Sequence, residues 1–458
     1  MLGFVHIMSV PRLTPIVVAT LLYAYASPAV AQEDFQLMQM PASYTDVIDA
    51  FDGADSLDVN ARVGFLRSSS SGVIQRETST PTTGATVPTL VDVAEHTHVT
   101  SSLRLGLDVG IYKDLAVYAA LPVVLSDSRE LSAPTGRSPQ DVQGDLREPA
   151  LDANGNPTPP GQDPMLFDVP FRAPARSGIP NVHLGIAWAP TNQQRSRDLP
   201  TWLLMLETRL ATGAVLKACS DGCDSPGISD GTSALRLESR ASYRFRHLEP
   251  YIGFAFELQW VSTGSELFGS DVDGLVHRSP PRSGEVTMGA ELIPWEDRER
   301  YQRVAFDLRV SGAYVSEGRD VTPLFDALGS SANPYLTAPN FDRLDPDPTR
   351  RTTVAMTGVT DTSAHARINL QAALLIQAAK YMRFGLGFGV GYVTAYLLTG
   401  TDACNPSVQP ASNDTRRGLC ANGILNPAHR PVIDVSGKRF RLDGEVTVDL
   451  HASATAQF

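Results

Sequence analysis

The sequence predicts an all-β fold: a single antiparallel up-and-down transmembrane β-barrel of about twelve strands with long extracellular loops. Three observations predict it. Apolar residues recur at every second position in segments spread along the chain. The connections between those segments alternate short and long. A secretory leader comes first, and the last segment runs to a terminal aromatic, Phe458.

The composition admits this fold and excludes others. The chain has 458 residues, 38 Lys+Arg against 50 Asp+Glu, and a formal net charge of -12. Large all-β barrels reach this length as one unit. An acidic balance argues against nucleic acid, whose phosphates need clustered Lys and Arg. At 42% hydrophobic and 19% charged residues the chain can fold. Four cysteines are too few for a disulfide-built scaffold of this size. No interior stretch reaches the roughly eighteen continuous apolar residues of a membrane helix.

In chain order, residues 1–31 read as a signal peptide. Arg12 precedes the apolar run Leu13–Ala26, and Ala29 and Ala31 form a small-x-small cleavage pattern that sets the cut before Gln32. Pro15 and the short run argue against an uncleaved membrane helix. No cysteine follows the cut to carry a lipid anchor. Residues 32–55 are expected to be a periplasmic segment or a small plug, with Tyr44–Asp52 as a short acidic helix candidate. The barrel takes 56–458.

The strands follow from side-chain alternation, since successive strand residues point to opposite faces. Leu103, Leu105, Leu107, Val109 and Ile111 alternate with Ser102, Arg104, Gly106, Asp108 and Gly110. Before them stand Val59, Ala61, Val63 and Phe65; after them Leu115, Val117, Ala119, Leu121 and Val123. The pattern returns at Val182–Trp188, Trp202–Leu210, Leu235–Phe245, Ile252–Trp260, Val286–Leu292, Val304–Tyr314, Ile368–Ile376, Met382–Tyr392 and Phe440–Phe458. Short connections lie near 112–114, 190–200, 247–250, 294–301 and 378–380. Long ones lie near 67–97, 127–180, 213–233, 262–283, 316–364 and 396–438. A soluble sandwich also has strands with one oily face, but nothing in it sends every long loop to one end. A barrel with periplasmic turns and extracellular loops does. Aromatics gather at the strand ends: Tyr112, Trp188, Trp202, Tyr251, Trp295, Tyr301, Tyr381 and Phe458 near the short turns, Trp260, Tyr314 and Tyr392 at the other end.

The inward row carries both charge signs. Arg209, Glu207, Arg236, Glu238, Arg240, Arg244 and Glu257 are the candidate lumen-lining residues, with the Arg236–Arg240–Arg244 ladder flanked by Glu207 and Glu257. Such charges either line a pore, with weak ion selectivity because they nearly cancel, or fill the interior with ion pairs. Gly385, Gly387, Gly389 and Gly391 also face inward, where absent side chains permit curvature or the close approach of another element. Phe325, within Val321–Leu328, is a candidate inward contact of the loop 316–364. Cys219 with Cys223, and Cys404 with Cys420, share one outward loop each and are expected to form two local disulfides.

No metal or cofactor is expected. Asp152, Asn154, Asn156 and Asp163 approach a calcium-loop spacing, but Pro157 stands where that motif needs Gly. The histidines are scattered, and none sits in a nucleophile or metal-ligand motif, so the chain reads as a non-enzyme; an outer-membrane hydrolase is the third reading.

The ending Asp449-Leu-His-Ala-Ser-Ala-Thr-Ala-Gln-Phe458 resembles the insertion signal of bacterial outer-membrane barrels, which implies the barrel-assembly machinery and outer-membrane lipids as partners. Gly178-Ile-Pro-Asn-Val-His-Leu-Gly-Ile-Ala-Trp188 and Pro200–Gly213 resemble the outer-membrane transporters linked to the meta-pathway of phenol degradation, and more loosely the fatty-acid-transport type of barrel. The resemblance implies passive passage of a small, apolar solute in the bacterial outer membrane after export through the periplasm. It supplies no binding residue. A structural or adhesive barrel displaying its loops is the alternative.

Overall fold

The computed structural model describes residues 41–48, 50, 58–82, 85–148, 163–263, 265–269, 274–337, 356–409 and 420–458. The leader 1–31 and Asp152, Asn154 and Asn156 of the calcium-like run lie outside them.

Twelve antiparallel strands close into one barrel. They are β1 (Val59–Thr82), β2 (Ala85–Tyr112), β3 (Leu115–Ser132), β4 (Asn181–Thr191), β5 (Thr201–Ala211), β6 (Thr232–Ser242), β7 (Leu248–Val261), β8 (Ser283–Asp297), β9 (Gln302–Val315), β10 (His365–Ala379), β11 (Met382–Val393) and β12 (Phe440–Gln457). Each pairs with its sequence neighbour, and β12 returns to β1 with Val63 opposite Ala454. Closure leaves no unpaired edge, which is how an all-β chain satisfies its backbone where water is absent. Reciprocal hydrogen bonds between Val59 and Phe458 fasten the two ends of the barrel chain at the short-turn end.

The period-two reading sets the wall's polarity. Leu105, Leu107, Phe254, Phe256, Leu308, Phe388 and Leu450 all point outward and are exposed. Tyr112, Trp188, Trp202, Trp295, Tyr381 and Phe458 ring the short-turn end, and Trp260, Tyr314 and Tyr392 the other. Tyr251 departs from the expected girdle: it is buried inside the barrel, because it sits one residue out of phase with outward Ile252 and Phe254.

The connections follow the expected rhythm with one correction. Residues 67–82 and 85–97, expected as a loop, belong to paired strands, so that β1 and β2 run to 24 and 28 residues. A tilted strand needs only about ten residues to cross a bilayer, so this hairpin extends beyond the wall. Ser68–Gly72 hides it from the sequence, since a strand leaving the apolar layer has no reason to keep an oily face.

The long-loop end carries a cap with its own core. Ile74 and Val93 of the hairpin, Val142, Leu146, Leu166 and Phe167 of the 133–180 connection, Leu324 and Leu328 of 316–364, and Val432, Ile433 and Phe440 all pack into one buried apolar cluster. Helix α1 (Pro139–Asp145) opens on a reciprocal capping box between Ser138 and Asp141. Helix α2 (Phe325–Gly329) holds Phe325, which is fully buried against Leu216, Leu267, Phe268 and Val359. Phe325 therefore joins loop to loop and makes no inward contact with the lumen. Arg176 and Asp326, both buried, pair at 2.6 Å across the cap. Disulfides Cys219–Cys223 and Cys404–Cys420 are formed as expected.

Three of the four glycines of β11 make room for side chains of the neighbouring strands. A Cβ on Gly387 would lie 2.1 Å from the His451 ring, one on Gly385 2.6 Å from Ser453 Oγ, and one on Gly391 2.6 Å from Asn369 Oδ1. Side chains of β10 and β12 lie across the glycine row.

Candidate functional site

The barrel encloses a cavity of about 680 Å³. Its wall mixes charged side chains with apolar ones such as Ala116, Ala187, Met205 and Leu375. Glu207, Arg209, Arg236, Glu238, Arg240 and Glu257 line it, together with Arg62, Arg104, Asp108, Arg303 and Arg383. Arg244 does not. Strand β6 ends at Ser242 and the chain reverses through a turn closed by Phe245 and Leu248. Past that end Arg244 stays buried beside exposed Phe245, but it pairs with Glu296 at the short-turn rim, off the cavity.

The charges are arranged as an interleaved network. Arg236 reaches Glu238 and Glu285, both at 2.9 Å, and Glu257 at 3.6 Å. Arg240 pairs with Glu238 at 2.6 Å, and Arg209 with Glu257. On the adjacent strand, opposite Arg236 in register, Glu207 accepts from Tyr118 Oη at 3.3 Å, contacts His183 Nδ1 at 3.0 Å, and lies 3.7 Å from Arg104. Buried charges are tolerable only when so paired, since an isolated one in a low-dielectric interior is costly. Sequence reading placed the arginines and carboxylates but missed Tyr118 and His183. Both stand on the inward parity of their strands, and that parity was the available signal.

Residues 41–48 lie inside the barrel at its short-turn half. Ala42 N–H donates to Glu249 at 3.1 Å, and Ser43 donates to Glu291 through its backbone at 2.7 Å and its hydroxyl at 2.6 Å. Arg240 donates to the Tyr44 carbonyl at 3.0 Å, and Arg383 pairs with Asp46 at 2.8 Å. The Tyr44 ring stacks on Tyr251 with centroids 4.4 Å apart, under the guanidiniums of Arg240 and Arg309. Val47 and Ile48 pack on Ala116, Ala187 and Leu203. The described part of the segment contains a turn at Ser43–Thr45 and no helix, so the expected helix is absent from 44–48; Asp49, Phe51 and Asp52 lie outside the described residues. Tyr44 and Tyr251 are site residues that the sequence reading did not assign to the lumen.

Among the described residues, no group of three or more His, Cys, Asp or Glu side chains is placed to hold a metal ion.

Fold and cavity together define a class: an outer-membrane-type β-barrel, apolar outside, with a charged cavity inside. No described protein family matches the sequence, and no characterised protein matches it. Among solved structures, the chain is similar to an outer membrane channel from Pseudomonas putida F1, with 9% identity, 91% of this chain and 99% of that chain covered, and a TM-score of 0.34. It is also similar to a FadL homologue from Pseudomonas aeruginosa, with 10% identity, 87% and 90% covered, and a TM-score of 0.30. The TodX monoaromatic hydrocarbon channel, as a deltaS2 mutant, aligns with 10% identity over 92% of this chain and 93% of its own, with a TM-score of 0.31. Likeness at this level assigns no solute and no site residue.

Proposed function

We propose that the chain is an outer-membrane channel for passive diffusion of a small solute, with the short turns in the periplasm, and that residues 41–48 close it in this structure. The observation that carries the reading is the inversion of the wall. Leucines, valines and phenylalanines face out between two aromatic rings, while arginines and carboxylates face a cavity of about 680 Å³. A barrel needing only to fill its interior could do so without leaving that volume. Lipid contacts the apolar belt, and the barrel-assembly machinery reads β12. No nucleotide-binding loop or catalytic set enters the proposal.

A second reading, a scaffold that displays its loops, is supported by the cap's own apolar core and its buried Arg176–Asp326 pair. Conductance in planar bilayers separates the two. The full mature chain is expected to conduct weakly, and a chain lacking 32–55 to conduct several-fold more. Absence of conductance from both would leave the scaffold.

A further inference from the structure

We propose that three of the short turns form a rim that docks the phosphate headgroups of an anionic phospholipid, with Lys113, Arg246 and Lys380 as its cations. This rests on the reading of the chain as a membrane barrel with its short turns in the periplasm, and it names the lipid that this end holds.

Cation and aromatic stand side by side at one end of the barrel and not at the other. Tyr112 precedes Lys113 in the β2–β3 turn, Phe245 precedes Arg246 in the β6–β7 turn, and Tyr381 follows Lys380 in the β10–β11 turn. The three cations are exposed, and the three rings are more than half exposed. The Lys380 ammonium lies 5.5 Å from the Tyr381 ring centroid and 5.9 Å from that of Tyr301. At the long-loop end, Trp260, Tyr314 and Tyr392 have no Lys or Arg within four positions on either side. The three turns lie four strands apart in a barrel of twelve, so the pairs are spread evenly around its circumference.

Position, not net charge, sets these turns apart. Carboxylates at the same end lie elsewhere: Asp198 in 192–200, Asp297 and Glu299 in 294–301, and Asp58 at the seam of β12 and β1. Asp114, the one carboxylate inside the three turns, is buried and held by Arg195 and by Asn192 at 2.8 Å. Arg244 is turned in onto Glu296, which leaves Arg246 at the tip closed by Phe245 and Leu248. The turn itself does not call for an arginine there: its φ is +54°, where glycine is the unstrained residue.

The same rings say what covers the rim. Phe245 continues into exposed Leu248, which lies opposite exposed Leu292 of the apolar belt. The bilayer that covers the belt therefore covers the rings. Amphipathic rings settle at headgroup level, and a cation on an apolar stem beside each ring reaches the phosphate plane. An anionic headgroup answers that cation, and a zwitterionic one answers it only in part.

The test uses the mature chain refolded into phosphatidylcholine vesicles doped with spin-labelled phosphatidylglycerol or spin-labelled phosphatidylcholine. Electron paramagnetic resonance reads the fraction of each lipid immobilised on the barrel. Phosphatidylglycerol is expected to be preferred about fivefold, the size of one cation's attraction to an anionic membrane surface, and the preference should shrink in high salt. The triple variant Lys113→Gln, Arg246→Gln, Lys380→Gln should lose it, and the pair Lys113→Arg, Lys380→Arg should keep it. Heat-modifiable gel mobility confirms that each variant is folded. An unchanged preference in the triple variant overturns the proposal. Loss of the preference on adding inorganic phosphate, but not chloride at equal ionic strength, overturns the lipid as the occupant. A barrel that immobilises neither lipid removes the membrane reading; one that immobilises both equally leaves that reading and removes the rim.

Discussion

Phe256 in the wall is 45% exposed, and Phe325 in the cap is fully buried. Both are phenylalanines in ordered structure. In the wall, alternation sends one face outward to an apolar surround and leaves the inner face to arginines and carboxylates, so the charged interior is the buried one. In the cap, short helices and loops bring Phe325 and its neighbours together away from water, as in any globular core. The difference teaches that burial alone does not locate a core here. The medium outside each region decides which way its apolar side chains turn.

Substitutions separate the two regions. The largest effect is expected in the cap, where Phe325→Ala leaves a hole among Leu216, Leu267, Phe268 and Val359. Deleting a buried phenyl ring typically costs about 3–5 kcal/mol. The cost should fall on the cap: amide exchange in 316–337 should accelerate while the strands stay protected. Loss of protection in β9 and β10 together with the cap would show that the regions fold as one. In the wall the opposite change is the informative one. Phe256→Arg places a charge on the lipid face, at a cost of about 2–4 kcal/mol at mid-membrane. Urea unfolding from lipid vesicles should register it, with the cap's exchange unchanged. A neutral result would mean that this face does not meet lipid.

The same contrast explains what was legible in the sequence. The strands could be read because lipid on one side and a hydrated lumen on the other impose strict alternation, as in Leu103–Ile111. The cap could not, because its apolar residues answer to partners far away in sequence: Leu146 meets Leu328 and Val432 in one cluster. The hairpin of β1 and β2 fell between the two cases and was read as a loop. Of the candidate site, the ladder on β5, β6 and β7 was legible from parity. Arg244 was carried one turn too far by the same rule, because parity does not announce where a strand ends. The placement of Ala42–Ile48 in the lumen had no local signal at all. Its partners Glu249, Glu291, Tyr251 and Arg383 are about 200 residues or more away in sequence.

The smallest expected effect tests how the cap's loops are stapled. His277, in the 262–282 connection, lies with Nδ1 3.3 Å from Asp361 Oδ2, and Glu317 stands 4.0 Å from its other nitrogen. The hydrogen bond to Asp361 raises the His277 pKa above its ordinary value, against the opposing effect of partial burial; Asp361, Glu317 and Asp402 add attraction to the charged form. A group whose pKa is raised in the folded state contributes stability that is fully present below its unfolded value, near 6.5, and is lost as pH rises through the folded value. The staple should therefore loosen on going from mildly acidic to alkaline solution. Half-buried ion pairs of this kind contribute under about 1 kcal/mol, too little to move global unfolding. Limited proteolysis of 262–282 can read it: cleavage in the wild type should quicken between pH 6 and pH 9, whereas His277→Gln should be cleaved at one rate throughout. Asp361 keeps Arg319 at 3.5 Å in either case, so the cap core itself should persist. A pH-independent wild type would remove His277 from the forces joining these loops.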